Sequence, residues 1–292
     1  MKRMSVGERV FTVLNTIFML FMIFVCLYPM VYVIMASLSD SNQLMAHTGI
    51  LLKPLGFNLK SYAAVGENRL IFSGYRNTLF ILVVGVVVNL LMTSLGAYFL
   101  SRKNVMLKGF VMGMITVTMF FSGGMIPLFL TVKNLGLLNS LWSLIIPSAI
   151  STFNLIIMRT SFMAIPAGIE EAAQIDGAGH IRLLFTIILP MSRSIVAVMI
   201  LYYGVAYWNG WFNAAIYLNE KSLYPLQLVL REILLANDTS AMTQGMGFSD
   251  GISIAETVKY AVIVVSTIPI LCIYPFMQKY FDKGVMVGAL KG

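Results

Sequence analysis

The stretch Ile165-Pro-Ala-Gly-Ile-Glu-Glu-Ala-Ala-Gln-Ile-Asp-Gly-Ala-Gly-His-Ile-Arg-Leu-Leu-Phe-Thr-Ile-Ile-Leu-Pro190 mixes charged and small residues between two hydrophobic segments. Each flanking segment is long enough to cross a bilayer. The stretch has internal order. Pro166 suits the first turn of a helix, and Glu170 and Glu171 lie near that helix's positive end. Ala172 and Ala173 are helix formers small enough for another surface to approach closely. Asp176-Gly177 is a natural stop, because glycine adopts the left-handed conformation that ends many helices. Beyond Gly179, the run Leu183, Leu184, Phe185, Ile187, Ile188 predicts a second short helix returning towards the bilayer and ended by Pro190. Two short helices bent at a glycine make a rigid knob. A helix lying on lipid is the plainer alternative, so the meaning of the stretch depends on its side of the membrane.

Working outward, the chain is 59% hydrophobic and only 11% charged, against about 25% charged in soluble domains. Windows free of Asp, Glu, Lys and Arg cover 10–39, 77–101, 109–132, 134–158, 194–219 and 260–278. A bilayer core needs about 20 apolar residues of helix, so the pattern predicts an all-α integral membrane protein with six spans. Their expected limits are about 10–36, 77–101, 109–132, 139–159, 194–218 and 259–278. The apolar run after Lys2, Arg3 and Arg9 is too long for a cleaved signal and reads as a retained first span.

Basic residues set the orientation. With the N-terminus inside, 12 of the 20 Lys and Arg fall on the cytoplasmic side, accompanied by only five of the 12 acids. Both termini are therefore expected in the cytoplasm, and so is the knob, within a cytoplasmic loop over 160–193. The overall charge of +8 reflects this topology and is no sign of nucleic-acid binding. Cys26 and Cys272 lie inside expected spans and cannot form a surface disulfide framework.

Within the spans, Tyr28-Pro29 predicts a bend in the first. Phe121-Ser-Gly-Gly-Met-Ile-Pro127 predicts a kink or unwound turn in the third. The loop over 37–75 has room for short helices. No Asp, Glu, Lys or Arg lies inside any window, which argues against a proton relay or voltage sensor. The fifth span carries Tyr202, Tyr203, Tyr207, Trp208, Asn209, Trp211, Phe212 and Asn213. That cluster is either an aromatic belt with packing amides or a wall for a sugar. It covers most of the helix circumference, so periodicity selects no face. Asn89, Asn154, Trp208, Asn209 and Asn213 are the candidate pathway residues. His47 and His180 have no carboxylate at metal-ligand spacing and are expected at the surface. No Gly-Lys pair exists, so the phosphate-binding P-loop is absent and any ATP must be bound by another chain.

Glu171-Ala172-Ala173, three residues, Gly177, nine residues, Ile187, one residue and Leu189-Pro190 resemble the EAA motif of ATP-binding-cassette importer permeases, extended by Ile175-Asp176-Gly177-Ala178. Phe121–Pro127, Asn134–Trp142, Phe153-Asn154, Met158-Arg159, Trp208-Asn209 and Lys283–Gly292 look like the carbohydrate permeases related to the smaller maltose-importer subunit. Tyr224-Pro225-Leu226-Gln227 resembles the branch serving complex oligosaccharides, including uronate-containing ones such as alginate and aldouronate. Ser194 departs from the family, where a second proline often follows Leu-Pro.

The resemblance implies the type I importer permease fold and a non-catalytic subunit in a prokaryotic inner membrane. It implies a second homologous permease, two ATP-binding subunits holding ATP and Mg, and an extracytoplasmic solute-binding protein. Glu170, Glu171, Ala172, Ala173, Asp176, Gly177, Ala178, Leu189 and Pro190 become the ATPase-coupling residues, and the tail around Gly284–Gly292 is expected to reach between the ATPases. A permease for glycerol phosphate or another solute, and a stand-alone facilitator, are the competing expectations. The chain itself is expected to hold no cofactor or metal.

Overall fold

The computed structural model describes residues 5–102, 105–235, 256–273 and 275. Fourteen helices are described: α1 (Val6–Ser37), α2 (Ser41–Ala46), α3 (Lys60–Glu67), α4 (Arg69–Ser101), α5 (Lys108–Phe120), α6 (Met125–Asn134), α7 (Trp142–Ile145), α8 (Thr152–Met163), α9 (Ala167–Ile175), α10 (His180–Met191), α11 (Arg193–Trp208), α12 (Phe212–Tyr217), α13 (Leu226–Leu235) and α14 (Glu256–Ile273). No strand occurs among the described residues. Three helices, α1, α4 and α14, are each long and apolar enough to cross a membrane. The bent pairs α5–α6, α8–α9 and α10–α11 raise the number to as many as six if each pair is one span.

The chain forms two compact units, one from 1–68 with 232–268 and the other from 69–231 with 269–292. In the first, α1 opens on a capping box in which Ser5 and Glu8 satisfy each other's backbone N–H groups. The helix continues through Pro29 as one element. Of α1 only Ala36 and Ser37 are buried, as suits a helix that is apolar all round and solvated by lipid. Asp40 caps α2, and Thr257 on α14 is bonded by the hydroxyls of Ser41 (2.9 Å) and Ser61 (2.7 Å).

The second unit is built on α4. It begins at Arg69, eight residues before the expected span, because a charge ends an apolar window but does not end a helix. Its N-terminal third clamps the segment before α13. Asn77 Nδ2 donates to the carbonyls of Ser222 (2.8 Å) and Tyr224 (3.2 Å), and Thr78 Oγ1 accepts the Leu226 N–H (2.8 Å). Gly74 permits this approach, since a Cβ there would stand 3.2 Å from the Leu226 Cα. Asn77→Leu leaves both carbonyls unpaired, and such groups cost about 1–3 kcal/mol each when buried. The detergent-solubilised chain should therefore melt at a distinctly lower temperature; an unchanged midpoint would dismiss the clamp.

The expected third span is broken. The α5 and α6 axes differ by 114° across Phe121–Gly124, and Gly124 sits at φ 87°, where a side chain is strained. The unwound turn expected around Phe121–Pro127 is present.

Within the windows expected for the fourth and fifth spans, 139–159 and 194–218, the helix is interrupted. α7 ends at Ile145 and α8 begins only at Thr152. Pro147 has no N–H to give the preceding turn. The break is satisfied from other helices. Asn89 of α4 donates to the Ser148 carbonyl (2.6 Å), and Tyr203 of α11 accepts the Ser151 N–H (3.2 Å). Borrowed side-chain bonds are what allow irregular backbone at membrane depth. α11 starts at Arg193 and stops at Trp208, before the Asn209-Gly210 turn, and α12 carries the remainder. For the sixth span, Glu256–Ile273 is helical, and the tail Lys283–Gly292 lies outside the described residues.

The main core of this unit joins α4, α8, α10 and α11 through Ala97, Leu100, Met158, Phe162, Leu184 and Met199. One pair of buried hydroxyls crosses it, Thr93 Oγ1 and Tyr203 OH, 2.7 Å apart.

Candidate functional site

The knob is formed by α9, a turn, and α10. Pro166 occupies the N-cap of α9, one place before the first helical residue. The end of α9 is a Schellman turn: the Ala178 N–H bonds the Ala173 carbonyl (2.9 Å) and the Gly177 N–H bonds that of Gln174 (3.0 Å). Gly177 has φ +79° and is the residue that makes this reversal possible.

α10 departs from expectation. Pro190 does not end it; the helix runs on to Met191 by widening into a π-turn over Leu184–Ile188. In an α-helix the Pro190 ring would press on the Thr186 carbonyl. The Leu189 N–H instead reaches back five residues to Leu184, which opens the turn.

The nine motif residues separate by direction. Ala173 is buried as a member of the main core, which anchors α9 to the body, and Ala178 and Leu189 pack partly against the same core. Glu171, Ala172, Asp176, Gly177 and Pro190 are exposed. So are Ile175 (86%) and Ile181 (64%), apolar side chains standing on the free face of the knob. Glu170 does not share that face. It turns inward and pairs with Arg102, just past the end of α4. Burial lowers the pKa of Arg102 from its ordinary value while Tyr98 opposes the shift, and a guanidinium keeps its charge in either case.

His180 is exposed, as expected, but its ring is held. Its Nδ1 lies 3.0 Å from Tyr98 OH, and the rings meet edge-on at 6.0 Å. Tyr98 and Arg102 were not singled out in the sequence. Their only local signal is position, one turn apart at the cytoplasmic end of an expected span.

The second feature is a cavity of about 1360 Å³ between α4, α8 and α11, larger than the roughly 300–1,000 Å³ usual for small-molecule sites. Of the candidate pathway residues, Asn154, Trp208 and Asn213 line it. Asn89 and Asn209 do not. Asn89 is buried, its amide spent on the Ser148 carbonyl and on Tyr207 OH (2.6 Å). Asn209 is an exposed C-cap whose N–H bonds the Val205 carbonyl. Tyr202, Tyr203 and Tyr207 complete the aromatic wall, and no Asp, Glu, Lys or Arg is among the described lining residues. The face left open by periodicity is now assigned. Tyr203 and Tyr207, one turn apart, point to α4, while Tyr202 faces Phe153 and Trp208 faces Tyr75, with ring centroids 6.4 Å apart in both pairs.

Bundled apolar helices around a large uncharged cavity, with a bent knob projecting from the bundle, define a membrane permease of the ATP-binding-cassette importer type. Residues 92–287 match the family described as the binding-protein-dependent transport system inner membrane component, and the chain belongs to that family. It is 40% identical, over 98% of its length and 99% of the relative's, to the polygalacturonan/rhamnogalacturonan transport system permease protein YtcP of Bacillus subtilis (strain 168). It is 38% identical to Protein LplC of the same organism, over 97% of this chain and 96% of that one. Among solved structures it resembles a chain of a bacterial ABC transporter involved in the import of the acidic polysaccharide alginate. There the TM-score is 0.88 and the identity 31%, covering 96% of this chain and all of the other. The type I permease fold and the inner-membrane, non-catalytic character expected from the sequence stand.

Proposed function

We propose that this chain is the permease subunit through which oligosaccharides containing uronic acids enter the cell. The observation that carries the reading is full-length similarity to two proteins named for acidic polymers, a polygalacturonan/rhamnogalacturonan permease and an alginate importer. The sugar arrives on a solute-binding protein and passes between this chain and a second permease. Two ATPase subunits beneath them supply the energy. Six spans with both termini in the cytoplasm put the knob on the ATPase side, in keeping with the distribution of Lys and Arg. Glu171, Ala172 and the exposed Ile175 and Ile181 form the docking face, and Gly177 sets its angle. The cavity is the translocation pathway, where Tyr202, Trp208, Asn154 and Asn213 offer ring faces and amides to a sugar.

A neutral oligosaccharide is the second reading. Its support is that no Lys or Arg is among the described residues lining the cavity, and a 26% identical relative is an arabinooligosaccharide permease. A phosphorylated solute such as glycerol phosphate would find no basic partner among the described residues of that wall. A stand-alone facilitator is disfavoured by membership of a binding-protein-dependent family.

The test uses the full importer in proteoliposomes with its binding protein outside and ATP inside. Short oligogalacturonates should accumulate in an ATP-dependent manner and arabino-oligosaccharides should not. Uptake of the neutral sugars alone would replace the first reading by the second.

A further inference from the structure

Besides the shared apolar core, three connections join the knob to the helices around the cavity, and they differ mechanically. Two run along the backbone, and each passes through a joint: 75° between α8 and α9, and 88° between α10 and α11. The third is made by side chains and reaches α4, an unbroken helix of 33 residues, about 50 Å long at 1.5 Å per residue.

Two grips make this third connection. Arg102 pairs with Glu170 of α9. Its guanidinium also lies 4.6 Å over the Tyr98 ring and donates to Ser101 Oγ through Nε (3.1 Å) and Nη2 (2.9 Å). Tyr98 in turn holds His180 of α10 through the 3.0 Å contact to Nδ1. The grips therefore fall on opposite sides of Gly177, one on each arm of the knob. Between them Ala173 is buried in the same core cluster as Ala97 and Leu100. Further along α4, Thr93 bonds Tyr203, and Asn89 bonds both Tyr207 and the Ser148 carbonyl. The helix that holds the knob thus also holds two walls of the cavity.

We infer that Tyr98, Arg102, Glu170 and His180 form a brace that makes α4 move together with the knob, so that α4 carries the displacement imposed by the ATPase to the cavity wall. All four are positioning residues. Glu170 serves inside the chain, leaving Glu171 to face the partner. The inference rests on the docking role proposed above for the knob.

The test measures substrate taken up per ATP hydrolysed by the complete importer in proteoliposomes. Arg102→Glu and Glu170→Arg should each lower this ratio about tenfold, and the double reversal should recover most of the loss, as a directly coupled pair requires. Arg102→Lys, which keeps the charge, should retain more coupling than Arg102→Glu. Single reversals that transport with wild-type stoichiometry would overturn the brace, and so would a double variant no better than the singles.

A second measurement does not depend on charge reversal being tolerated. In a chain with Cys26 and Cys272 replaced by alanine, Arg102→Cys and Glu170→Cys are joined by a short thiol cross-linker. A brace that stays closed predicts that cross-linking preserves coupled uptake, and arrest of transport on cross-linking would refute it. Glu171→Lys separates the two ideas. Coupling that survives Glu171→Lys removes the docking role itself, whereas coupling lost in Glu171→Lys but intact in Arg102→Glu removes only the brace.

Discussion

Gly177→Pro is expected to abolish ATP-driven uptake while the chain still reaches the membrane. Proline is held near φ −65°, and Gly177 sits at +79°. The substitution also deletes the N–H that bonds the Gln174 carbonyl. The Schellman turn cannot form, and misplacing proline where its φ and N–H are both wrong costs about 3 kcal/mol or more. The damage stays local, because nothing lies within 4 Å of a Cβ built on Gly177. The helices around the cavity still pack, and only the angle between α9 and α10 is lost. Gly177→Ala should be graded, since a left-handed non-glycine residue costs about 1–2 kcal/mol. Its complex should transport at a reduced rate.

Glu171→Lys makes the matching point from the other side. Glu171 is exposed on α9, so a change there should leave the thermal midpoint of the isolated permease unmoved and still uncouple hydrolysis from uptake. Transport measured beside ATP hydrolysis checks all three variants. Wild-type uptake in Gly177→Pro would remove the knob from the coupling route.

Gly85→Val is the second large effect, and it acts at the cavity wall. The Tyr207 ring approaches α4 closely at this glycine; a Cβ there would fall 2.6 Å from ring carbons Cε2 and Cζ. The ring is tethered, because its hydroxyl bonds Asn89 one helical turn further along α4. A valine must push the ring off. That adds about 1–3 kcal/mol of overpacking, and leaving the Asn89 oxygen unpaired costs roughly another 1–3 kcal/mol. Released from Tyr207, Asn89 also loses the orientation in which it holds the Ser148 carbonyl. The expected result is a strongly lowered thermal midpoint together with lost transport. Gly113→Ala, with nothing within 4 Å of its Cβ, is the control and should melt like the parent. A Gly85→Val chain as stable as the parent would refute the close approach.

How much of this was legible in the sequence follows from what is local and what is not. Charge-free windows marked the spans because hydrocarbon penalises every unpaired charge along the chain, whatever the partners. The knob was legible because proline, glutamates, alanines and glycine act on their own neighbours. The breaks after Ile145 and at Asn209-Gly210 were not. Pro147 pointed to one, but the groups that make it tolerable, Asn89 and Tyr203, lie 59 and 52 residues away from what they bond. The same distance in sequence concealed the difference between Glu170 and Glu171, two adjacent carboxylates of which one meets Arg102 on another helix. Asn89 was chosen as a pathway residue because an amide in a greasy helix draws attention. It is instead the amide that closes a break in the backbone.

The cavity wall has a kinetic consequence. Tyr203 and Tyr207 belong to the wall, yet their hydroxyls are turned to α4 and already engaged with Thr93, the Ser151 amide and Asn89. A hydroxyl committed to the protein has little left for a passing sugar. The wall therefore offers smooth ring faces more than hydrogen-bond anchors, and a pathway needs contacts weak enough to leave. On the pathway proposed above, cargo released into such a space would have a short dwell time, and turnover would be governed by the opening and closing of the gates and hardly at all by escape from a binding site.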